Sequence, residues 1–93
     1  MLKEIVFESK EEAERVLGYL RGVIFSVGDV SVYDYYKAAG STPEHEDEEY
    51  GWLDLTGVTV QPGAATRYID DGTQEIAMGY IITLPEPIRI IGG

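Results

Sequence analysis

The apolar residues change their spacing partway along the chain, and this change constrains the fold more than any other feature. Between Ser9 and Gly28 they recur every three or four residues, the period of one helix face. This apolar stripe consists of Ala13, Val16, Leu17, Leu20, Val23, Ile24 and Val27. Between Gly57 and Leu84 the period is two, which indicates β-strands. The 93 residues therefore predict one α+β domain, helices first and sheet second.

Local signals predict where the two helices begin and end. Ser9 followed by Glu12 has the spacing of a capping box, and Gly28 is a good helix terminator. A second, shorter helix is predicted between Ser31 as N-cap and Gly40. We expect these two N-terminal helices to pack on a small three- to four-stranded antiparallel sheet.

The strands should form a meander. The alternating segments are 57–61, 65–69 and 75–84. Pro62 and Gly63 predict a break between the first two, and Asp71-Gly72 predicts a hairpin turn before the third. The helix stripe and one strand face are the only apolar surfaces large enough to cover each other. The core predicted from them contains Leu17, Leu20, Ile24, Tyr36, Ile76, Tyr80 and Ile82.

A chain of this length has a thin core, and it contains no cysteine to supply disulfides. Stability must come from packing or from self-association. Residues 88–91 form an apolar tail after Pro87 that either packs back on the sheet or serves as a docking strand. A homodimer through a sheet edge or through residues 85–91 is therefore expected.

The stretch from Ser41 to Leu55 carries a concentration of negative charge in a chain whose net charge is already -10. Its six carboxylates, with no Lys or Arg among them, belong to Glu44, Glu46, Asp47, Glu48, Glu49 and Asp54. Such a chain repels nucleic acid, but it complements a basic groove on another protein. Solubility alone explains an acidic composition equally well.

These charges and the aromatic residues behind them predict a partner-binding surface. Its residues are Glu44, Glu46, Asp47, Glu48, Glu49, Tyr50 and Trp52. Tyr and Trp supply large contact areas in interfaces, so we expect partly exposed rings at Tyr33, Tyr50, Trp52 and Tyr68. The alternative for Trp52 is a buried anchor where the loop returns to the sheet.

Catalytic and cofactor chemistry have little support. His45, the single histidine, lies among carboxylates in a segment that reads as solvated and mobile. The same run lacks the glycine and the spacing of a calcium loop, and no phosphate-binding loop occurs. We expect no enzyme activity, no cofactor and no structural metal. The N-terminus lacks a long apolar run, so we expect no membrane contact and a cytoplasmic location.

Four short patterns occur in a distinctive order: EEAERVLGYL at 11–20, VSVYDYY at 30–36, YGW at 50–52 and GYIITLPEP at 79–87. In this order the chain resembles a group of short proteins encoded by bacteriophages and prophages. It differs from them by an added hairpin between Gln61 and Ala77 and by a more acidic run before Tyr50. The resemblance implies a phage origin and transfers no catalytic residue.

Two functions suit a small, acidic, non-catalytic phage protein. One is inhibition of a host protein, including a defence nuclease whose basic nucleic-acid groove an acidic protein can fill. The other is a structural or assembly role in the phage particle. The concentration of acid in one loop favours the inhibitor, whereas a long coiled coil or an extended arm is more typical of a particle component. The apolar tail after Pro87 keeps the second function open, because it could add a strand to a neighbouring protein.

Overall fold

A computed structural model of the protein describes residues 2–3, 5–68, 72 and 74–90. Within these residues the helices are α1 (Lys10–Val27), α2 (Val32–Ala38) and a 3-10 helix (His45–Glu49). The strands are β1 (Val30–Ser31), β2 (Tyr50–Trp52), β3 (Val60–Tyr68), β4 (Gln74–Ile82) and β5 (Ile88–Arg89). The predicted α+β class, with two helices and small antiparallel sheets, is confirmed.

Both predicted helix starts are confirmed by their caps. The Glu12 amide donates to Ser9 Oγ over 3.1 Å at the start of α1, and the Asp34 amide donates to Ser31 Oγ over 3.0 Å at the start of α2. These bonds satisfy backbone donors that have no partner within the helix. Gly28 ends α1 with φ 95°, a left-handed conformation that glycine adopts without steric cost.

The strands lie in two separate sheets rather than in one meander. One sheet has the order β1-β2-β5, with β2 in the centre, and the other is the β3–β4 ribbon. All pairs are antiparallel. The apolar tail was predicted either to pack back on the sheet or to serve as a docking strand. Residues Ile88–Arg89 pack back, as the edge strand β5 beside β2.

The predicted break at Pro62-Gly63 is wrong, because β3 runs through both residues. Pro62 lies opposite Tyr80 in the ribbon. The amide and carbonyl of Tyr80 are bonded to the Phe7 backbone on the other side, at 2.9 and 2.7 Å. The ladder therefore needs no N–H at this position of β3, and proline is tolerated. The turn between β3 and β4 was predicted at Asp71-Gly72. Gly72 has φ 82°, the left-handed conformation that such a turn needs, and Asp71 lies outside the described residues.

The core joins α1 and α2 to the sheet formed by β1, β2 and β5 and to the proximal end of the ribbon. Of the predicted core residues, Leu17, Leu20, Tyr36 and Ile82 are buried, and Ile24 and Tyr80 are partly buried against them. The remaining buried residues are Phe7, Ala13, Val16, Val30, Val32, Tyr35, Trp52, Leu55 and Val58. Arg21 on α1 holds the loop after β2 in place by donating to the carbonyls of Leu55 and Val58 at 3.3 and 2.6 Å.

Ile76 was wrongly predicted to be buried. It shares the strand face of Ile82, but burial falls along that face from Ile82 outward. Met78 is 77% exposed and Ile76 66% exposed. The alternation predicted the correct face of β4, but it carries no information on how far the ribbon extends beyond the helices that cover its base. The outer half of the ribbon is therefore an arm with an uncovered apolar face. Val27, the last residue of α1 and of its apolar stripe, is also exposed.

Three aromatic side chains, two from α2 and one from β2, form a cluster where these elements pack together. The Tyr35 ring lies edge-on to Trp52, with 6.0 Å between ring centroids, and it also packs beside Tyr36 at 5.6 Å. Burial, with a smaller contribution from Tyr36, raises the pKa of Tyr35 to about 12. The folded state therefore keeps a proton on this phenol at a pH where an unfolded tyrosine, with a pKa of about 10, has lost it.

This shift predicts a loss of stability in alkali. Between pH 10 and about 12 the unfolded chain releases the Tyr35 proton and the folded chain retains it, so the free energy of unfolding falls as pH rises. Below pH 10 the contribution of the Tyr35 proton to the free energy of unfolding is fully present. Tyr35→Phe has no such proton, and its urea-unfolding midpoint should fall less steeply over this interval than that of the unmodified chain. Parallel profiles for the two proteins would show that Tyr35 does not titrate differently in the folded state.

Candidate partner-binding surface

The residues from Glu44 to Glu49, called the acidic segment below, form an ordered turn rather than the mobile loop predicted. They contain the 3-10 helix His45–Glu49. The Glu44 amide donates to Asp47 Oδ2 over 2.8 Å, and the Asp47 amide donates to the Glu44 carbonyl over 3.1 Å. The sequence contained the signal, since an acidic residue three positions after the N-cap satisfies a backbone donor there. The helix presents its carboxylates from a defined backbone.

The C-terminal end of the acidic segment is joined to β5. The Ile90 amide donates to the Glu49 carbonyl over 2.9 Å, and Arg89 Nη2 lies 3.0 Å from Glu49 Oε1. Two of the five predicted acidic residues, Asp47 and Glu49, are thus engaged in contacts within the chain, and both are only half-exposed. An exposed ion pair of this kind contributes little to stability, but it fixes the position of Glu49.

Three carboxylates of the acidic segment remain available to a partner. Glu44, Glu46 and Glu48 are exposed, and within the described residues none of them pairs with a Lys or Arg. Glu48 lies 3.8 Å from the exposed His45, a contact that is an ion pair only when the imidazole is protonated. The outward charge of the segment is therefore concentrated on these three side chains.

Tyr50 and Trp52, the aromatic pair predicted behind the acids, differ sharply in burial. Tyr50 is 42% exposed at the end of the acidic segment, as expected of a contact residue. Trp52 is 2% exposed, and its indole N–H donates to the Pro85 carbonyl over 2.8 Å. The expectation that Trp52 contributes an exposed ring is wrong, and the alternative of a buried anchor is correct. Tyr33 is half-buried, and the side chain of Tyr68 lies outside the described part of the chain.

A shallow cavity of about 320 Å³ adjoins the acidic segment. It is lined by Leu2, Val32, Asp47, Tyr50, Glu86 and Pro87. Carboxylates and an apolar wall meet at this place, which suits a long basic side chain with an aliphatic stem. No pattern in the sequence indicates that residues so far apart along the chain meet at this cavity.

The sixth carboxylate of the acidic stretch has a local role. Hydrogen bonding from the Thr56 side chain, and secondly from the Thr56 amide at 2.8 Å from Asp54 Oδ1, holds the pKa of Asp54 below its usual value. Among the described residues, no group of three or more His, Asp or Glu side chains has the arrangement of a metal site. Neither α-helix in the described part of the chain is long and apolar enough to cross a bilayer.

A second concave surface, which the sequence analysis missed, lies between α1 and α2. This groove has a volume of about 560 Å³ and is lined by Arg15, Val16, Tyr19, Tyr33, Asp34, Lys37 and Ala38. The sequence did contain a signal for this groove, in the spacing of the residues that line it. Arg15 and Tyr19 are four residues apart on α1, as are Tyr33 and Lys37 on α2, so each helix presents one tyrosine and one cation on the same side.

No protein-family model, curated protein or solved structure matches this chain. The two surfaces are therefore interpreted from their own chemistry.

Proposed function

We propose that this protein is a non-catalytic phage protein that binds a basic surface of a host protein through the acidic segment and inhibits it. The favoured target is a defence nuclease with a basic nucleic-acid groove, in the bacterial cytoplasm. The observation that carries the proposal is the display of Glu44, Glu46 and Glu48 from an ordered turn. Carboxylates displayed from an ordered backbone can replace the charge of a phosphate backbone at a lower ordering cost than a mobile loop would require.

The surroundings of the acidic segment support the same interpretation. Tyr50 and the adjoining cavity add apolar contact area beside the charges, as is usual at protein interfaces. The net charge of -10 would also speed encounter with a basic partner through long-range attraction.

A role in the phage particle is the second candidate, and the arm formed by β3 and β4 favours it. Ile76 and Met78 lie on an uncovered apolar face of that arm, which is a feature expected of an assembly contact. Mass spectrometry of purified particles distinguishes the two candidates. A particle component is present there in fixed stoichiometry, whereas an inhibitor is confined to the infected cell.

The acidic segment is tested by replacing its three exposed carboxylates together with glutamine. At about 0.5–1 kcal/mol for each charge, the E44Q/E46Q/E48Q variant should bind the target roughly 10- to 150-fold more weakly. Its affinity should also depend less on salt concentration, because fewer charges meet across the interface. Target binding is measured by calorimetry at two salt concentrations, after capture from lysate of the bacterial host, and inhibition by nuclease assay.

The matched control is E8Q/E11Q/E14Q, which changes the net charge equally at exposed positions of the N-terminal region. It should bind and inhibit nearly as well as the unmodified chain. Equal weakening by both variants would mean that net charge alone drives binding. Full binding by E44Q/E46Q/E48Q at low and high salt would remove the acidic segment from the interface and favour the assembly role.

A further inference from the structure

The basic residues of this chain are few, and their partners divide them into two groups. Lys3 donates to the Thr42 carbonyl over 2.9 Å and lies 5.0 Å from the centre of the Tyr36 ring. Arg21 is bonded to two loop carbonyls and Arg89 to Glu49. The side chains of Lys10, Arg15 and Lys37 are different, since within the described residues none of the three has a hydrogen bond or an ion pair.

Of these three cations, Arg15 and Lys37 face the same groove from opposite walls, and Lys10 lies outside it. Arg15 belongs to α1 and Lys37 to α2, and both line the cavity of about 560 Å³ between the helices. One carboxylate, that of Asp34, is among the lining residues, so the groove is locally positive in a strongly acidic chain. Unpaired cations with this arrangement match a ligand that carries carboxylates, since an Arg guanidinium binds a carboxylate with two parallel hydrogen bonds.

The rest of the lining is apolar or aromatic. Tyr19, 49% exposed, and the half-buried Tyr33 contribute ring surface, and Val16 and Ala38 contribute aliphatic surface. The groove is open to solvent rather than enclosed, which suits a segment of polypeptide better than a small molecule that must be surrounded. A side chain with a large apolar body would fill the space between the two rings.

From these features we infer that the groove between α1 and α2 binds an acidic peptide segment of a partner protein, with an aromatic or aliphatic anchor beside its carboxylates. The carboxylates bind Arg15 and Lys37, and the anchor packs against Tyr19 and Tyr33. Asp34 accepts a backbone N–H of the peptide. The remaining acidic residues oppose such a ligand only weakly at physiological salt, where the screening length is about 8 Å. This site does not depend on the acidic segment.

The test uses fluorescence anisotropy with a labelled twelve-residue peptide of Glu and Asp around a central Phe, in physiological salt. Arg15→Gln and Lys37→Gln should each weaken binding roughly tenfold, the loss expected when one charged hydrogen-bond donor is removed. Both residues are exposed, so folding is preserved.

The matched control is Lys10→Gln, an exposed cation of α1 outside this groove, and it should change affinity less than about twofold. Tyr19→Ala should weaken the Phe peptide more than the same peptide with Ala in place of Phe.

Any one of the following four outcomes would overturn the inference. No saturable binding of the peptide excludes an acidic occupant. An equal loss with Lys10→Gln means that the peptide responds to net charge and not to the groove. Equal binding of free glutamate or of inorganic phosphate at the groove identifies it as a small-anion site. A dimer in sedimentation experiments that Arg15→Gln and Lys37→Gln dissociate identifies a second copy of the chain as the occupant.

Discussion

Trp52→Ala should lower the free energy of unfolding by about 3–5 kcal/mol, the range for truncating a buried large aromatic side chain. The ring is 2% exposed, lies edge-on to Tyr35 and donates its N–H to Pro85. The substitution leaves a cavity, removes the ring contact and leaves a carbonyl without its donor. For a domain of this length, whose whole stability is of the order of 5–14 kcal/mol, that is a large fraction.

The measurement is urea unfolding followed by far-UV circular dichroism, because the substitution removes the only tryptophan. Tyr50→Ala is the matched control. The two residues flank Gly51 on the same strand, but Tyr50 is 42% exposed, and its truncation should change stability by less than about 1 kcal/mol. Equal effects of the two substitutions on unfolding would contradict the burial of Trp52 and the exposure of Tyr50.

Gly51→Ala should be nearly as damaging, although it adds a single methyl group. A Cβ at this position would overlap the Val30 carbonyl oxygen and lie 2.7 Å from Ser31 Cα. These are backbone atoms of the neighbouring strand β1, so no side-chain rotation relieves the overlap. Overpacking typically costs about 1–3 kcal/mol, and the separation of β1 from β2 adds to it, so we expect a loss of about 3 kcal/mol or more.

Gly18 and Gly22 provide the matched control within the same chain. Both lie inside α1, and a Cβ at either position meets nothing within 4 Å. Gly18→Ala and Gly22→Ala should each stabilise the protein by about 0.5–1 kcal/mol, because alanine has the higher helix propensity. Thermal unfolding of the three variants gives the comparison directly. A stabilised Gly51→Ala protein would mean that β1 and β2 are not paired as described.

The helices were predictable because their signals are local. Ser9, Gly28 and Ser31 act on backbone groups within one turn of themselves, so their effect can be read from the sequence alone. Strand arrangement depends on distant partners instead. The continuity of β3 through Pro62 follows from the bond between Tyr80 and Phe7, which no pattern near Pro62 reveals.

The negative charge and exposure of the acidic segment were predictable from the sequence, but its backbone conformation was not. Its charge is a property of composition, whereas its order depends on the Asp47 cap and on the contact between Glu49 and Arg89. Trp52 illustrates the same limit. Its residue type suits an interface and a core equally, and the choice was decided by Pro85, 33 residues away in sequence. The groove was missed because it exists only once α1 and α2 are packed together.

The central position of β2 has a consequence for the order of folding. Its partners are β1 and β5, and the Trp52–Pro85 and Arg89–Glu49 contacts span 33 and 40 residues. Contacts of such long range form late, because the loop entropy must be overcome before they become favourable. During synthesis α1 can form from local interactions, but the acidic segment acquires its final shape only after residues 85–90 have emerged from the ribosome. A nascent chain would therefore display the same charges without the geometry that recognition requires.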